Sequence, residues 1–441
     1  MRWLLIKDCD VLCFKDQTPE ILLHHDILVE GNRIHAILPT ADSWGDVEFE
    51  QIDAAGMLAV PGLINTHAHV PMVLFRGAAE DVPLTEWFND YIFPMESNLT
   101  AEDVYWGAML GIAEMIEAGI TYVADHYFFM DEVAEAIQKG GIRANLSWAV
   151  FEHEGLDKLN QTSEFIQRWQ GKADGRIKTW LGPHSPYLCG PAFLRICAKT
   201  AEDLDIGVHI HVAETREQVE ASLAQYGQTP IRLLLDTGIL ERPTILAHCL
   251  YPTEDDLQII ADHPAGIGQA PKTYLRAGMG LSDIKSYQDL HIPLGLATDG
   301  AASSFTLDLY EQMRLMALTQ KFTQGDARAA SLDEILRIAF LGGAEVSREP
   351  ELGALKPGNF ADIVLLRQDR AACIPRLNPA ANLVYSMAAG DVNTVICDGH
   401  VVMRDRVLLT IDKDEVKNEV EKRLERLVQR VPGRKVAVYP S

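Results

Sequence analysis

The chain has 441 residues, and its 39 basic side chains are outnumbered by 63 acidic ones, giving a formal charge of −24. Such a charge repels phosphate backbones and anionic lipid, so neither nucleic acid nor a membrane is expected as a partner. Hydrophobic residues at 47% and charged residues at 23% fit an ordinary globular enzyme, with length for one large domain and a smaller one.

The opening "MRWLLIKDCD" is broken by Lys7, Asp8 and Asp10 before a signal-peptide core could form. No run approaches the ~20 apolar residues of a membrane helix. The seven cysteines (Cys9, Cys13, Cys189, Cys197, Cys249, Cys373 and Cys397) are scattered and form no C-x-x-C pair. That argues against a disulfide framework and a thiolate zinc site, and a soluble cytoplasmic protein is expected.

Residues 1–57 predict short strands and turns: "WLLIKDCDVLCF", "HDILVEGNRIHAIL" with a Gly31-Asn32 turn, and "EQIDAAGMLAVPG". They are assigned to the N-terminal part of a small β domain. Over residues 58–350 the texture changes to apolar runs alternating with amphipathic helices. The candidate strands are "LAVPGLIN", "TYVADHY", "RANLSWAV", "IKTWLGPH", "GVHIHVAE", "TILAHC", "AGIGQA" and "IPLGLATDG". Thr100 with Asp103 and Ser331 with Glu334 give helix-start signals. Eight strand–helix alternations predict an α/β fold, a (β/α)8 TIM barrel. No G-x-G-x-x-G or G-x-x-x-x-G-K-[ST] loop follows any strand, which weighs against a doubly wound nucleotide-binding sheet.

Residues 351–441 return to strand texture in "GALKPGNFADIVLLR" and "VNTVICDGHVVMRDRVLL", followed by a charged helix, "DKDEVKNEVEKRLERLVQRV". Its acids lie early and its bases late, which suits the helix dipole. Both chain ends are expected to combine into one flanking β-sandwich domain.

Barrel enzymes carry their chemistry at the C-terminal ends of the strands. "NTHAHV" places His67 and His69 two residues apart, on one face of the first strand end. Taken alone, the pair reads equally well as two satisfied, partly buried histidines. The set decides: His184 ends the fourth strand, His211 and Glu214 the fifth, His248 the sixth and Asp299 the eighth. His67, His69, His211 and Asp299 form a nitrogen-and-oxygen set suited to Zn²⁺, with Fe²⁺ less common. An ion so held lowers the pKa of bound water to about 7. Glu214 would shuttle the proton and His248 would polarise the reacting centre. His209, one repeat deeper, reads as a core histidine, and Asp125 and His126 as pocket lining rather than ligands. His24, His25, His153, His263, His291 and His400 read as surface or loop residues, and Trp87 as packing.

The stretches "PGLINTHAHVPMVLFRGAAEDVPLTEWF", "GPHSPY", "HIHVAET", "LAHC" and "ATDGAAS" resemble the amidohydrolase superfamily, most closely its 5′-methylthioadenosine/S-adenosylhomocysteine deaminase branch. The likeness covers nearly the whole chain. It implies a (β/α)8 barrel, a small flanking β domain and one divalent metal on His67, His69, His211 and Asp299. It also implies Glu214 as proton shuttle, His248 and Asp299 steering the hydroxide proton, Glu96 on ribose hydroxyls and His184 on the purine.

Three pocket loops depart from that branch. Trp148 in "LSWAV" stands where an arginine is usual, "GQAPKTY" replaces "HNPxSN", and "AASSF" ends in Phe305 rather than Asn. Trp148 would bring an aromatic face to the substrate in place of a charge. The expected reaction is hydrolytic deamination of an adenine-type nucleoside, with a carboxylate-bearing substrate less favoured than a neutral one. Aminohydrolysis of another flat heterocycle (guanine-like, pterin, cytosine-like or s-triazine) is the alternative, and self-association is left open.

Overall fold

The computed structural model describes residues 3–44 and 48–439. Eight successive apolar segments form a parallel ring: Leu63–His69, Ile120–Tyr127, Arg143–Val150, Ile177–Pro183, Val208–Val212, Thr244–His248, Ala265–Gln269 and Leu294–Leu296. Each pairs with the next in parallel. The eighth strand breaks for two residues and resumes at Asp299–Gly300, which pairs with Ala68 and His69 of the first and closes the ring. These strands are buried almost throughout, because one face fills the barrel interior and the other lies under helices. Between them run helices begun as the sequence signals: Thr100 and Ser331 both close capping boxes, with Asp103 and Glu334.

The run "LAVPGLIN" divides into two strands. Met57–Pro61 belongs to the flanking sheet, and the barrel strand starts at Leu63. Gly62 sits at the crossing, where a Cβ would collide with the Thr121 side chain.

Strands from both chain ends join in one mixed sheet of nine strands. The N-terminal strands are longer than the sequence texture predicts: Trp3–Lys15 and Thr18–Glu30 each run 13 residues, with register shifts that bend them. Ile34, on an edge strand, and Ile396, five strands away, share one apolar cluster with Leu4, Ile27 and Ile363, so the sheet curls over its own core. Arg143, at the base of the third barrel strand, ties the two parts together. Its guanidinium is buried against Asp362 at 3.1 Å and Asp398 at 2.5 Å.

Helix Lys413–Leu427 packs along helix Ala101–Glu117, with Arg426 on Asp103 at 2.5 Å. The chain then crosses to the barrel mouth. There Val436 N–H donates to the Phe93 carbonyl at 3.1 Å. Among the described residues, no helix is long and apolar enough to cross a membrane.

Candidate metal centre and cavity

His67 and His69 leave the first strand on one face, and His211 leaves the fifth. The ligating nitrogens of these three rings lie within 4.8 Å of one another, and so do the polar atoms of His67, His248 and Asp299. His69 Nε2 is 3.3 Å from both His211 Nε2 and Asp299 Oδ1, and His67 Nε2 is 3.8 Å from Asp299 Oδ1. Ligands set tetrahedrally at zinc distances lie about 3.4 Å apart, so the His69–His211 and His69–Asp299 separations match metal-binding spacing and the His67–Asp299 separation is slightly wider.

For His69 and His211 the second nitrogen of the ring fixes which nitrogen faces the cluster. His69 Nδ1 lies 2.5 Å from the His126 carbonyl and His211 Nδ1 2.9 Å from the His184 carbonyl. A carbonyl only accepts, so both Nδ1 atoms carry the proton and both Nε2 atoms offer a lone pair. His67 Nδ1 meets His209 Nε2 at 2.8 Å, while His67 Nε2 is buried with no hydrogen-bond partner. A buried, unpartnered ring nitrogen in such a cluster fits a ligated ion. Burial, reinforced by the neighbouring imidazoles, holds His67 and His211 well below the usual histidine range, in the neutral form that ligates. Burial also lowers His69, although Asp299 opposes the shift.

Four backbone positions around the cluster lie in the left-handed region: Ala213 (φ 47°), His248 (φ 72°), Cys249 (φ 47°) and Asp299 (φ 59°). Strain of this kind gathers where side chains must be aimed, here off the ends of the fifth, sixth and eighth strands. Asp299 is held further by Gly300 N–H on Oδ1 at 2.7 Å and the Ser303 hydroxyl on Oδ2 at 2.9 Å.

The cluster forms the floor of a cavity of about 470 Å³. Residues 58–402 match the amidohydrolase family model. The chain belongs to the amidohydrolase family. Among its relatives is the 5-methylthioadenosine/S-adenosylhomocysteine deaminase of Desulforudis audaxviator, 42% identical over 92% of this chain and 95% of that protein. The zinc-bound adenosine deaminase of Xanthomonas campestris superposes with a TM-score of 0.90 at 29% identity, covering 96% of this chain and 98% of the other. The atrazine chlorohydrolase of Arthrobacter aurescens complexed with zinc gives 0.88 at 26% identity, covering 96% and 100%. An amidohydrolase with deaminase relatives is a hydrolytic enzyme acting on C–N bonds.

Beside the cluster of this amidohydrolase, Glu214 is wholly buried and burial pushes its carboxyl up. Its Oε2 accepts from Gln218 at 3.3 Å and Tyr187 at 3.5 Å. Its Oε1 is left facing His248 Nε2 at 3.9 Å. The "GQAPKTY" loop reaches His248 directly. Gln269 donates to its carbonyl at 2.5 Å, and the Tyr274 hydroxyl sits 3.3 Å from its Nδ1.

Glu96 and His184 both line the cavity. Glu96 accepts from the Tyr127 hydroxyl at 2.7 Å, and burial pushes its carboxyl up to about 8. His184 is sandwiched between Phe151 and His211. Trp148, expected at the substrate, is a correction. Ala149 faces the cavity, and alternation turns Trp148 outward, against Phe165 and under the Lys158 ammonium. Phe305 also stays off the cavity wall, covered by the Arg276 guanidinium at 4.9 Å. Trp87, read as packing, does line the cavity. The sequence alone assigns no role to Tyr187, Gln218 or Tyr439, and Tyr274 stands out only as part of a divergent pocket loop. Each meets another side chain of the site rather than leaving a strand end, Gln218 standing four residues after Glu214.

Proposed function

We propose that the enzyme is a zinc-dependent deaminase of adenine-type nucleosides carrying a small uncharged 5′ group, with 5′-methylthioadenosine and adenosine preferred to S-adenosylhomocysteine. The observation that carries this reading is the placement of Glu214: a buried carboxyl with one oxygen tied and the other open toward the cluster. Zinc held by His67, His69, His211 and Asp299 supplies a nucleophilic water at neutral pH.

The chain's own residues do the rest. The raised Glu214 carboxyl delivers a proton to the ring nitrogen beside the amine-bearing carbon. His248, fixed through Tyr274 and Gln269, and Asp299 steer the attacking water's remaining proton to the amine, which departs as ammonia. Glu96, with Tyr127 behind it, takes the ribose hydroxyls, and His184, its faces covered by Phe151 and His211, meets the purine with its ring edge.

The 5′ end meets the cavity rim. Arg276 is the one fixed cation among the described lining residues. It is already held by Glu80 at 2.5 Å and by the carbonyls of Ser303 and Ala79 at 2.6 and 3.0 Å. With Glu80 and Asp81 both exposed there, a substrate carboxylate would meet like charge without a free partner. A free base or s-triazine would leave Glu96 and Tyr127 idle, so that reading has less support.

Ammonia release from adenosine, 5′-methylthioadenosine, S-adenosylhomocysteine, guanine and an s-triazine tests the proposal. The first two should turn over with the highest kcat/KM, and Glu214→Gln should lose roughly 10²–10⁴-fold with its metal retained. A triazine or guanine as best substrate would contradict it.

A further inference from the structure

One wall of the cavity is the helical stretch of residues 84–97, which contributes Leu84, Phe88, Phe93 and Glu96. It contains a π-helical turn over Trp87–Ile92, a wide turn that needs outside support. That support comes from the far end of the sequence. Arg430 donates to the Asp90 carbonyl at 3.0 Å, Arg434 to the Ser97 carbonyl at 2.6 Å, and Val436 N–H to the Phe93 carbonyl at 3.1 Å. The Asn89 amide then clamps Tyr439 from both sides, giving to its carbonyl at 2.9 Å and accepting from its N–H at 3.0 Å.

So held, the Tyr439 ring stacks on Phe88 at 4.7 Å and 6°, and its hydroxyl accepts from Gln218 Nε2 at 2.7 Å. Gln218 Oε1 accepts from the Glu214 backbone N–H at 3.0 Å, which fixes the amide's orientation. Its –NH₂ must then face Tyr439 on one side and Glu214 Oε2, at 3.3 Å, on the other. We propose that residues 430–439 form a strap over the barrel mouth, and that Tyr439 is a positioning residue holding Gln218 so that Glu214 presents its free oxygen to the substrate. This rests on the deaminase reading above.

The strap joins two jobs in one segment. Stacking on Phe88 sets the substrate wall, and the hydroxyl sets the proton shuttle. Tyr439→Phe keeps the ring and removes only the hydroxyl. It should lower kcat roughly five- to tenfold, as expected for one hydrogen bond felt in the transition state, with KM within about twofold and zinc content unchanged. In the Glu214→Gln background the same change should cost nothing further, since the two residues act on one step. Deletion from Lys435 onward should lower kcat more and also raise KM, because Phe88 loses its backing.

An unchanged kcat in Tyr439→Phe would overturn the proposal, as would a loss that is fully additive with Glu214→Gln. Wild-type protein releasing no ammonia from any nucleoside would remove the deaminase reading and the strap's role together. Normal wild-type turnover with an indifferent Tyr439→Phe removes the strap's role alone.

Discussion

His67 Nδ1 lies 2.8 Å from His209 Nε2, deep in the barrel, and both rings are fully buried. With His209 Nε2 accepting from His67 Nδ1, the lone pair of His67 Nε2 would point toward Asp299 and the other imidazoles. His209, read from the sequence as a core histidine, would then set the tautomer of His67 from below, as partners behind metal-binding histidines do. His209→Ala should weaken zinc binding roughly 10–100-fold, with His209→Gln, which keeps an acceptor, recovering part of the loss. Competition against a chromophoric chelator reads both. Equal zinc affinity in wild type and His209→Ala would show that the contact is only packing.

Glu96 carries a second, pH-dependent signature. Burial raises its carboxyl from 4.5 to about 8, and the Tyr127 hydrogen bond pulls the other way without prevailing. The unfolded chain ionises this group above pH 4.5 while the folded chain keeps it protonated. Its stabilising contribution is thus full below pH 4.5 and disappears as pH rises through 8. Glu96→Gln cannot ionise, so its thermal midpoint should fall less than that of wild type between pH 5 and 9. Parallel curves would mean that Glu96 is already ionised near neutrality. The companion Glu96→Ala should raise KM for nucleosides strongly and barely affect free bases.

Trp148 separates a packing residue from a substrate contact. It lies against Phe165 outside the ring of strands, and Ala149 occupies the position that faces the cavity. Trp148→Phe should cost about 1–3 kcal/mol of stability, by underfilling that contact, and leave KM unchanged. A KM shift of tenfold with normal stability would return Trp148 to the pocket.

The barrel was legible because its strands are short apolar runs closed by polar residues at fixed places, and because i, i+2 spacing puts His67 and His69 on one face. The same alternation explains the error at Trp148. A substitution noticed by its position in a motif says nothing of its parity on the strand, and a slip of one residue exchanges inside for outside. The split of "LAVPGLIN" at Gly62 was hidden because both halves are apolar and only the partner strands differ. The backing residues were hidden for another reason. His209, Tyr274 and Tyr439 meet their partners across segments far apart in sequence, Tyr439 and Gln218 being 221 residues apart. Nothing local betrays such a pair. The left-handed backbone at His248 and Asp299 is likewise a product of the closed ring.

The proposed enzyme depends on one divalent ion shared by His67, His69, His211 and Asp299. Metal content by mass spectrometry alongside ammonia release, for wild type and His211→Ala, each stripped with chelator and reloaded with zinc, decides whether it does. One zinc per wild-type chain is expected, with activity lost on stripping and restored on reloading, and neither zinc nor activity in a still-folded His211→Ala. Full activity in metal-free wild type, or one tightly held zinc in His211→Ala, would contradict it.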